Sequence, residues 1–277
     1  MINPKHIQVE LTSHCNLQCM ECPHRDMKRK QQSMHPDTFD ALERLIAHFE
    51  SESRLTTMIL HKDGEPFMCP YFPNYFARIA DNTPAKIDVY TNGLLMKPDM
   101  VQFMSENAKR NKIWVLVSFH NFKYDGMRYD LSKVEENLKA CLDLNLPNVE
   151  FIISMHKLDL TEEAWTREFY VKWTNVSIRQ RNLKAVHVNT CINHWAGRVK
   201  QEQEMARYVA CPYMDASHMF IGVTGNVLPC CVDMEEEIVF GNIIEDDLNN
   251  IMTVRDNFYK KHEAREVPHT LCSKCLE

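Results

Sequence analysis

Glycine is scarce in this chain. Only seven of 277 residues are glycine, so each one in a loop marks a positive φ or a close backbone approach. No run of 18 apolar residues occurs, and the N-terminus, Met-Ile-Asn-Pro-Lys-His, has no apolar signal region. The expectation is a cytoplasmic protein with no membrane partner. Positive charge is not in excess. The formal net charge is −6, which argues against a nucleic-acid partner. The cluster from Arg25 to Lys30 reads as a solvated basic loop. Internal repeats and low-complexity tracts are absent too. The 44% hydrophobic content is enough for a substantial core, in one large domain or two smaller ones.

Cysteine, by contrast, is abundant, with eleven residues. In a reducing compartment they read as metal ligands or reactive thiols rather than disulfides. Three lie in Cys15-Asn-Leu-Gln-Cys19-Met-Glu-Cys22, a C-x3-C-x2-C loop just after the alternating apolar segment Ile7–Leu11. Three thiolates on one short loop can hold three irons of a [4Fe–4S] cube and leave the fourth open for chemistry. The alternative is a zinc site completed by His24, although zinc sites favour paired C-x2-C units. Exposed iron–sulfur sites are oxygen-sensitive, so an anaerobic or microaerobic setting is expected.

The first 180 residues or so alternate strand and helix patterns. Strands are predicted at Ile7–Leu11, Thr57–His61, Lys86–Tyr90, Ile113–Phe119, Val149–Ser154 and Val176–Gln180. Between them, apolar residues recur at helical spacing: Phe39, Leu42, Leu45, Ile46 and Phe49 behind Pro36, then Met100, Phe103 and Met104, then Val134, Leu138 and Leu142, and a fourth helix from Leu160 to Trp173. Six such units imply a parallel sheet with helices outside and a site at the C-terminal strand ends, where the cysteine loop falls. Beyond residue 182 the pattern changes. A linker is expected at Asn193–Arg198 and a polar helix at Gln201–Tyr208. A hairpin follows, Met219–Val223 and Asn226–Cys230 about Thr224-Gly225-Asn226, then a helix over Leu248–Phe258 and a terminal Cys272-Ser-Lys-Cys275.

The cysteine loop resembles the signature of the radical S-adenosylmethionine (SAM) enzymes. In that family SAM chelates the open iron, and its reductive cleavage yields methionine and a 5′-deoxyadenosyl radical that takes a hydrogen atom from substrate. The resemblance implies a partial (β/α)6 barrel, which agrees with six strands, and a flavodoxin- or ferredoxin-type reductant. His61-Lys-Asp-Gly-Glu-Pro66 is similar to the family's Gly-Gly-Glu-Pro motif, whose backbone holds the SAM amino group, with Asp63 in place of the first glycine. That likeness makes Gly64, Glu65 and Pro66 cofactor-binding candidates. Thr91 and Asn92 of Thr91-Asn92-Gly93, Ser118, Ser154 and Arg179 are candidates by their strand-end positions, with ordinary turn or surface roles as the alternative. Glu21 stands where the family usually has an aromatic residue near the adenine.

A second set, Cys211, Cys230, Cys272 and Cys275, supplies four thiolates, enough for a complete [4Fe–4S] cluster or for a structural zinc. With Gly225-Asn226-Val-Leu-Pro-Cys230 and Phe240-Gly-Asn-Ile243, this region resembles the short auxiliary-cluster extension called Twitch, a trimmed SPASM domain. The resemblance implies two clusters, a barrel over residues 1–195 and a small α+β Twitch domain over 196–277. A full SPASM domain would need further cysteines after residue 275, and the barrel pattern begins too near residue 1 for a leader-peptide-recognition domain. Of the remaining cysteines, Cys69 lies outside both clusters and Cys141 fits a buried helix face. Cys191 and Cys231 are candidate catalytic thiols, Cys231 also being an alternative ligand or a core residue. In an aminocyclitol dehydrogenase with a Twitch extension an arginine after the sixth strand reaches the substrate, and the resemblance implies that role for Arg181, with a surface salt bridge as the alternative.

The leading reading is an oxidoreductase acting on a small hydroxylated substrate, a sugar or aminocyclitol, with the auxiliary cluster taking an electron. Epimerisation with a cysteine hydrogen donor and maturation of a short peptide remain as alternatives. A plain electron carrier or zinc module leaves the open-iron spacing and the Gly-Glu-Pro motif unexplained.

Overall fold

The computed structural model describes residues 2–19, 22–120, 129–156, 163–189, 195–196, 198 and 210–276. Six parallel strands stand side by side in chain order: β1 (His6–Val9), β2 (Thr57–Ile59), β3 (Lys86–Thr91), β4 (Ile113–His120), β5 (Val149–His156) and β6 (Leu183–Asn189). Each crosses to the next through a helix: α1 (Pro36–Ser53), α2 (Phe72–Asn82), α3 (Pro98–Asn107), α4 (Leu131–Asp143) and α5 (Glu163–Arg179). The helices begin where local chemistry dictates. Proline occupies the first turn of α1, α2 and α3, where its missing N–H costs nothing. The Asp130 carboxylate caps α4 by accepting from the Lys133 N–H at 3.1 Å. Strand residues alternate as a half-covered sheet requires. In β4, Ile113, Val115, Val117 and Phe119 are fully buried on the helix side, and Trp114, Leu116 and Ser118 occupy the other face.

The second part of the chain continues this sheet. β7 (His218–Ile221) lies parallel to the free edge of β1, with His6 opposite His218 and Val9 opposite Ile221. β8 (Asn226–Leu228) and β9 (Gly241–Asn242) add to it antiparallel, giving nine strands in the order β6-β5-β4-β3-β2-β1-β7-β8-β9. Gly225 turns the β7–β8 hairpin with φ +90°, the left-handed conformation the Gly-Asn pair predicts. α6 (Leu248–Glu263) and α7 (Thr270–Leu276) follow. Arg255 of α6, 1% exposed, donates to the carbonyls of Ile2, Ala216 and His218 and so ties the N-terminus to β7. No helix among the described residues is long and apolar enough to cross a membrane.

One strand is displaced from its predicted place. Val176–Gln180 forms the end of α5, not a strand, and the sixth strand is Leu183–Asn189. Phe169 and Trp173, four residues apart and buried at 4% and 0%, carry the helical face as far as Val176, and this packing overrides the local β preference. Arg179 and Arg181 therefore precede β6 instead of following it. Both are exposed at the opposite end of the sheet from the cysteine loop, and the placement that suggested cofactor and substrate contacts for them is withdrawn. The Asn193–Arg198 linker in large part, the Gln201–Tyr208 helix, Glu21 and Cys191 lie outside the described residues.

Candidate active site

The cysteine loop leaves β1 at the C-terminal end of the sheet. The Ser13 N–H donates to the Gln32 carbonyl at 2.9 Å, and the Ser13 hydroxyl donates to the same carbonyl, so the loop is clamped at its base. Within it the Cys22 N–H donates to the Cys19 carbonyl at 3.1 Å. Cys15, Cys19 and Cys22 are all partly exposed. The Cys15 sulfur is pushed up to about 11 by burial, against opposing hydrogen bonds from the Leu17 and Asn16 N–H groups. An iron cube would supply the positive charge that such a thiolate lacks. His24, the alternative zinc ligand, is 5% exposed and its Nε2 donates to the Ser13 carbonyl at 2.7 Å.

The loop after β2 packs directly on the loop after β1. A Cβ at Gly64 would sit 2.2 Å from the Thr12 carbonyl oxygen and 2.7 Å from that of His14, so the contact accepts only glycine. The Glu65 N–H donates to the His14 carbonyl at 2.8 Å across the same seam. The Glu65 carboxylate, 2% exposed, accepts from the Thr91 hydroxyl and the Asn92 N–H, each at 2.8 Å, and from the Phe67 N–H at 3.2 Å. Burial raises its pKa to about 7. The Asn92 side chain donates to Asn16 Oδ1 at 2.8 Å, inside the cysteine loop. The side chains of Glu65, Thr91 and Asn92 are thus occupied in holding three strand-end loops together. Ser118 and Ser154 sit opposite each other in the β4–β5 register, in one row with His187 of β6.

The auxiliary cysteines converge. Cys211, Cys230, Cys231, Cys272 and Cys275 line one cavity, otherwise walled mainly by Ala196, Pro212, Pro229, Val232 and Leu271. Among the described residues no three His, Cys, Asp or Glu side chains are disposed to hold a single metal ion; the five cysteines instead share the wall of one cavity. Burial raises all five thiols, Cys230 well above its ordinary value and Cys272 to about 12. His262 lines the same cavity, and its buried Nε2 has no hydrogen-bond partner among the described residues. Four thiols in an apolar wall that penalises their charge, facing an orphaned imidazole nitrogen, fit a cationic iron–sulfur group with acceptor sulfurs. Cys69 and Cys141 are buried elsewhere in the core.

A buried charge network joins the two halves of the site, and sequence reasoning missed it. Lys62, with a fully buried side chain, pairs with Asp63 and donates to the Asp233 carbonyl at 2.9 Å, three residues past Cys230. Arg29 donates to Glu10 at 2.6 Å and to Asp63 at 3.0 Å. The backbone N–H groups of Lys28 and Arg29 donate to the Glu235 carboxylate at 2.9 and 3.0 Å. Burial alone would lower Lys62 and raise Asp63, but each holds the other charged, with Arg29 helping Asp63. Burial and the nearby Asp63 raise Glu10. Asp63 is therefore more than a tolerated departure from glycine: it ties the motif to Arg29 beyond the first cysteine loop and pairs with Lys62, which in turn reaches the auxiliary segment. The signal available in the sequence was a Lys-Asp pair in a strand-end loop. The Cys231 thiol faces this network and hydrogen-bonds the Tyr213 hydroxyl at 3.4 Å. His61 stands at the end of β2 with its ring 5.6 Å from that of Tyr90, and burial lowers its pKa to about 4.

Comparisons with known proteins agree with this geometry. Residues 9–167 match the family model of the radical SAM superfamily, and residues 211–276 match SPASM, an iron–sulfur cluster-binding domain. The S-adenosyl-L-methionine-dependent 2-deoxy-scyllo-inosamine dehydrogenase of Niallia circulans is 21% identical over 275 residues, covering 97% of this chain and 91% of its own. The crystal structure of BtrN in complex with AdoMet and 2-DOIA shares the fold at a TM-score of 0.66 and 18% identity, over 99% of this chain and 93% of that one. Native anSMEcpe with bound AdoMet does so at 0.57 and 14%, over 93% and 83%.

Proposed function

The chain belongs to the radical SAM superfamily, and from that premise we propose that it dehydrogenates a small hydroxylated substrate, a sugar or aminocyclitol, using two [4Fe–4S] clusters and SAM. Residues 1–195 form the barrel and 196–277 the cluster extension. Cys15, Cys19 and Cys22 hold the first cluster, and Cys211, Cys230, Cys272 and Cys275 the auxiliary one. Gly64, Glu65 and Pro66, with Thr91, Asn92, Ser118 and Ser154, frame the SAM site, mainly through backbone. When bound, these groups supply a 5′-deoxyadenosyl radical that removes the carbinol hydrogen and an acceptor for the one electron that leaves as the carbonyl forms.

The chain's own residues do the rest. The Gly64 seam fixes the SAM loop against the cysteine loop. The observation that carries the reading is the Lys62–Asp233 hydrogen bond, which holds the SAM loop directly against the auxiliary-cluster loop. The dehydrogenase from Niallia circulans, similar along nearly its whole length, supports the reaction type and the substrate class.

The test is anaerobic turnover of reconstituted protein against a panel of polyols and aminocyclitols. Dehydrogenation gives one 5′-deoxyadenosine per carbonyl product, continues without a thiol reductant, and survives Cys231→Ala. The position of Cys231, facing Lys62 and Asp63 and bonded to Tyr213, favours a second reading, epimerisation with Cys231 as hydrogen donor. In that case turnover stalls after one cycle without a thiol reductant, and Cys231→Ala abolishes it.

A further inference from the structure

His262 lies in the last turn of α6, a position that helix geometry alone does not reserve for histidine. Its backbone carbonyl is satisfied by the Ala264 and Arg265 N–H groups. Its ring packs against Phe258, 5.4 Å between centres and edge-on. His262 is only 9% exposed, and its Nε2 is wholly buried without a hydrogen-bond partner among the described residues. A buried polar atom left unpaired is destabilising, so a partner outside the described polypeptide is expected. The cavity that receives the ring is the one lined by Cys211, Cys230, Cys272 and Cys275. Tyr213, on the same wall, already bonds Cys231, and Tyr259 of α6 donates to the Pro229 carbonyl, so neither hydroxyl is directed at His262. A cluster held by those four thiolates offers only acceptors, its sulfides and cysteine sulfurs.

We propose that His262 Nε2–H donates a hydrogen bond to a sulfur of the auxiliary cluster and sets its reduction potential. The inference rests on the reading of that cavity as an iron–sulfur site. A donor to a cluster sulfur stabilises the extra negative charge of the reduced form, so the potential rises. That direction suits a cluster that must accept an electron from substrate. His262 is then a tuning residue, and the four cysteines remain the ligands.

The test uses the full chain with Cys15, Cys19 and Cys22 changed to alanine, so that the auxiliary cluster alone is read. Iron content, the midpoint potential by electron paramagnetic resonance titration, and melting with and without iron are measured for this background, for His262→Phe and for His262→Gln. The expected result is full iron in all three, a more negative potential in H262F, and a potential restored toward the parent in H262Q, whose amide still donates. H262F should also be no less stable than the parent in the iron-free protein, where Nε2 has no partner, and less stable when loaded. An unchanged potential in an iron-replete H262F overturns the assignment. So does loss of iron from both variants, which would make His262 a ligand. A parent protein without iron overturns the cluster reading itself, and the proposal with it.

Discussion

Gly64→Ala tests the seam between the SAM loop and the cysteine loop. The added methyl would meet the Thr12 carbonyl oxygen at 2.2 Å, the His14 carbonyl oxygen at 2.7 Å and the Ser13 carbonyl carbon at 2.9 Å. These are backbone atoms, fixed by β1 and by the Ser13–Gln32 clamp, so no side chain can swing aside. Ordinary contact begins at 3.4 Å, and the loops must therefore part by about 1 Å. Overpacking of this kind costs about 1–3 kcal/mol. Stretching the Glu65–His14 hydrogen bond adds about 1 kcal/mol. A total of about 3 kcal/mol lowers the melting temperature by roughly 6–12 °C for a chain of this size. Because the displaced edge is the backbone proposed to frame SAM, a 1 Å shift should also slow SAM cleavage on the order of 100-fold. Calorimetry on the apo protein and 5′-deoxyadenosine release from the reconstituted protein read the two effects separately. A variant that melts with the wild type and cleaves SAM at the same rate would refute the seam argument.

Three further predictions follow from the same structure. Lys62→Met leaves Asp63 with Arg29 alone and the Asp233 carbonyl without its donor, which should cost about 3 kcal/mol, and K62M/D63N should recover part of that loss in urea melts. Arg179→Ala and Arg181→Ala, at the far end of the sheet, should change stability by no more than ~0.5 kcal/mol and leave iron content and SAM cleavage at wild-type levels; a loss of either would restore a site role. Glu65, with a folded pKa near 7 above an ordinary 4.5, binds its proton more tightly when folded. Its contribution is complete below pH 4.5 and is lost as pH rises to 7, about 3 kcal/mol in all, so apo stability should fall across that window and Glu65→Gln should flatten the slope. An equal slope in both proteins would contradict the assignment.

The parts of the site that sequence revealed are those where chemistry demands a residue type at a fixed spacing. Cys15, Cys19 and Cys22 on one loop and Cys272 with Cys275 near the end needed no structure to be read, and neither did the glycine of the β7–β8 hairpin. Strands with strict alternation, such as Ile113 to Phe119, were equally plain. The sixth strand was misplaced because Val176-Ser-Ile-Arg-Gln has β character on its own, and only the packing of Phe169 and Trp173 shows that the helix continues through it. The charge network was invisible for another reason. Glu10, Arg29, Lys62 and Asp233 are scattered over more than 200 positions, and nothing local marks a lysine as fully buried. Even the motif residues were only half read, since the side chains of Glu65 and Thr91 pair with each other and that of Asn92 bonds Asn16 inside the cysteine loop.

The account stands on two cluster sites in one chain, and counting iron and sulfide after anaerobic reconstitution tests that most directly. About eight irons and eight sulfides per chain are expected, falling to about four when either Cys15, Cys19 and Cys22 or Cys272 and Cys275 are replaced by alanine. About four irons in the wild type, unchanged by removal of Cys272 and Cys275, would contradict the account.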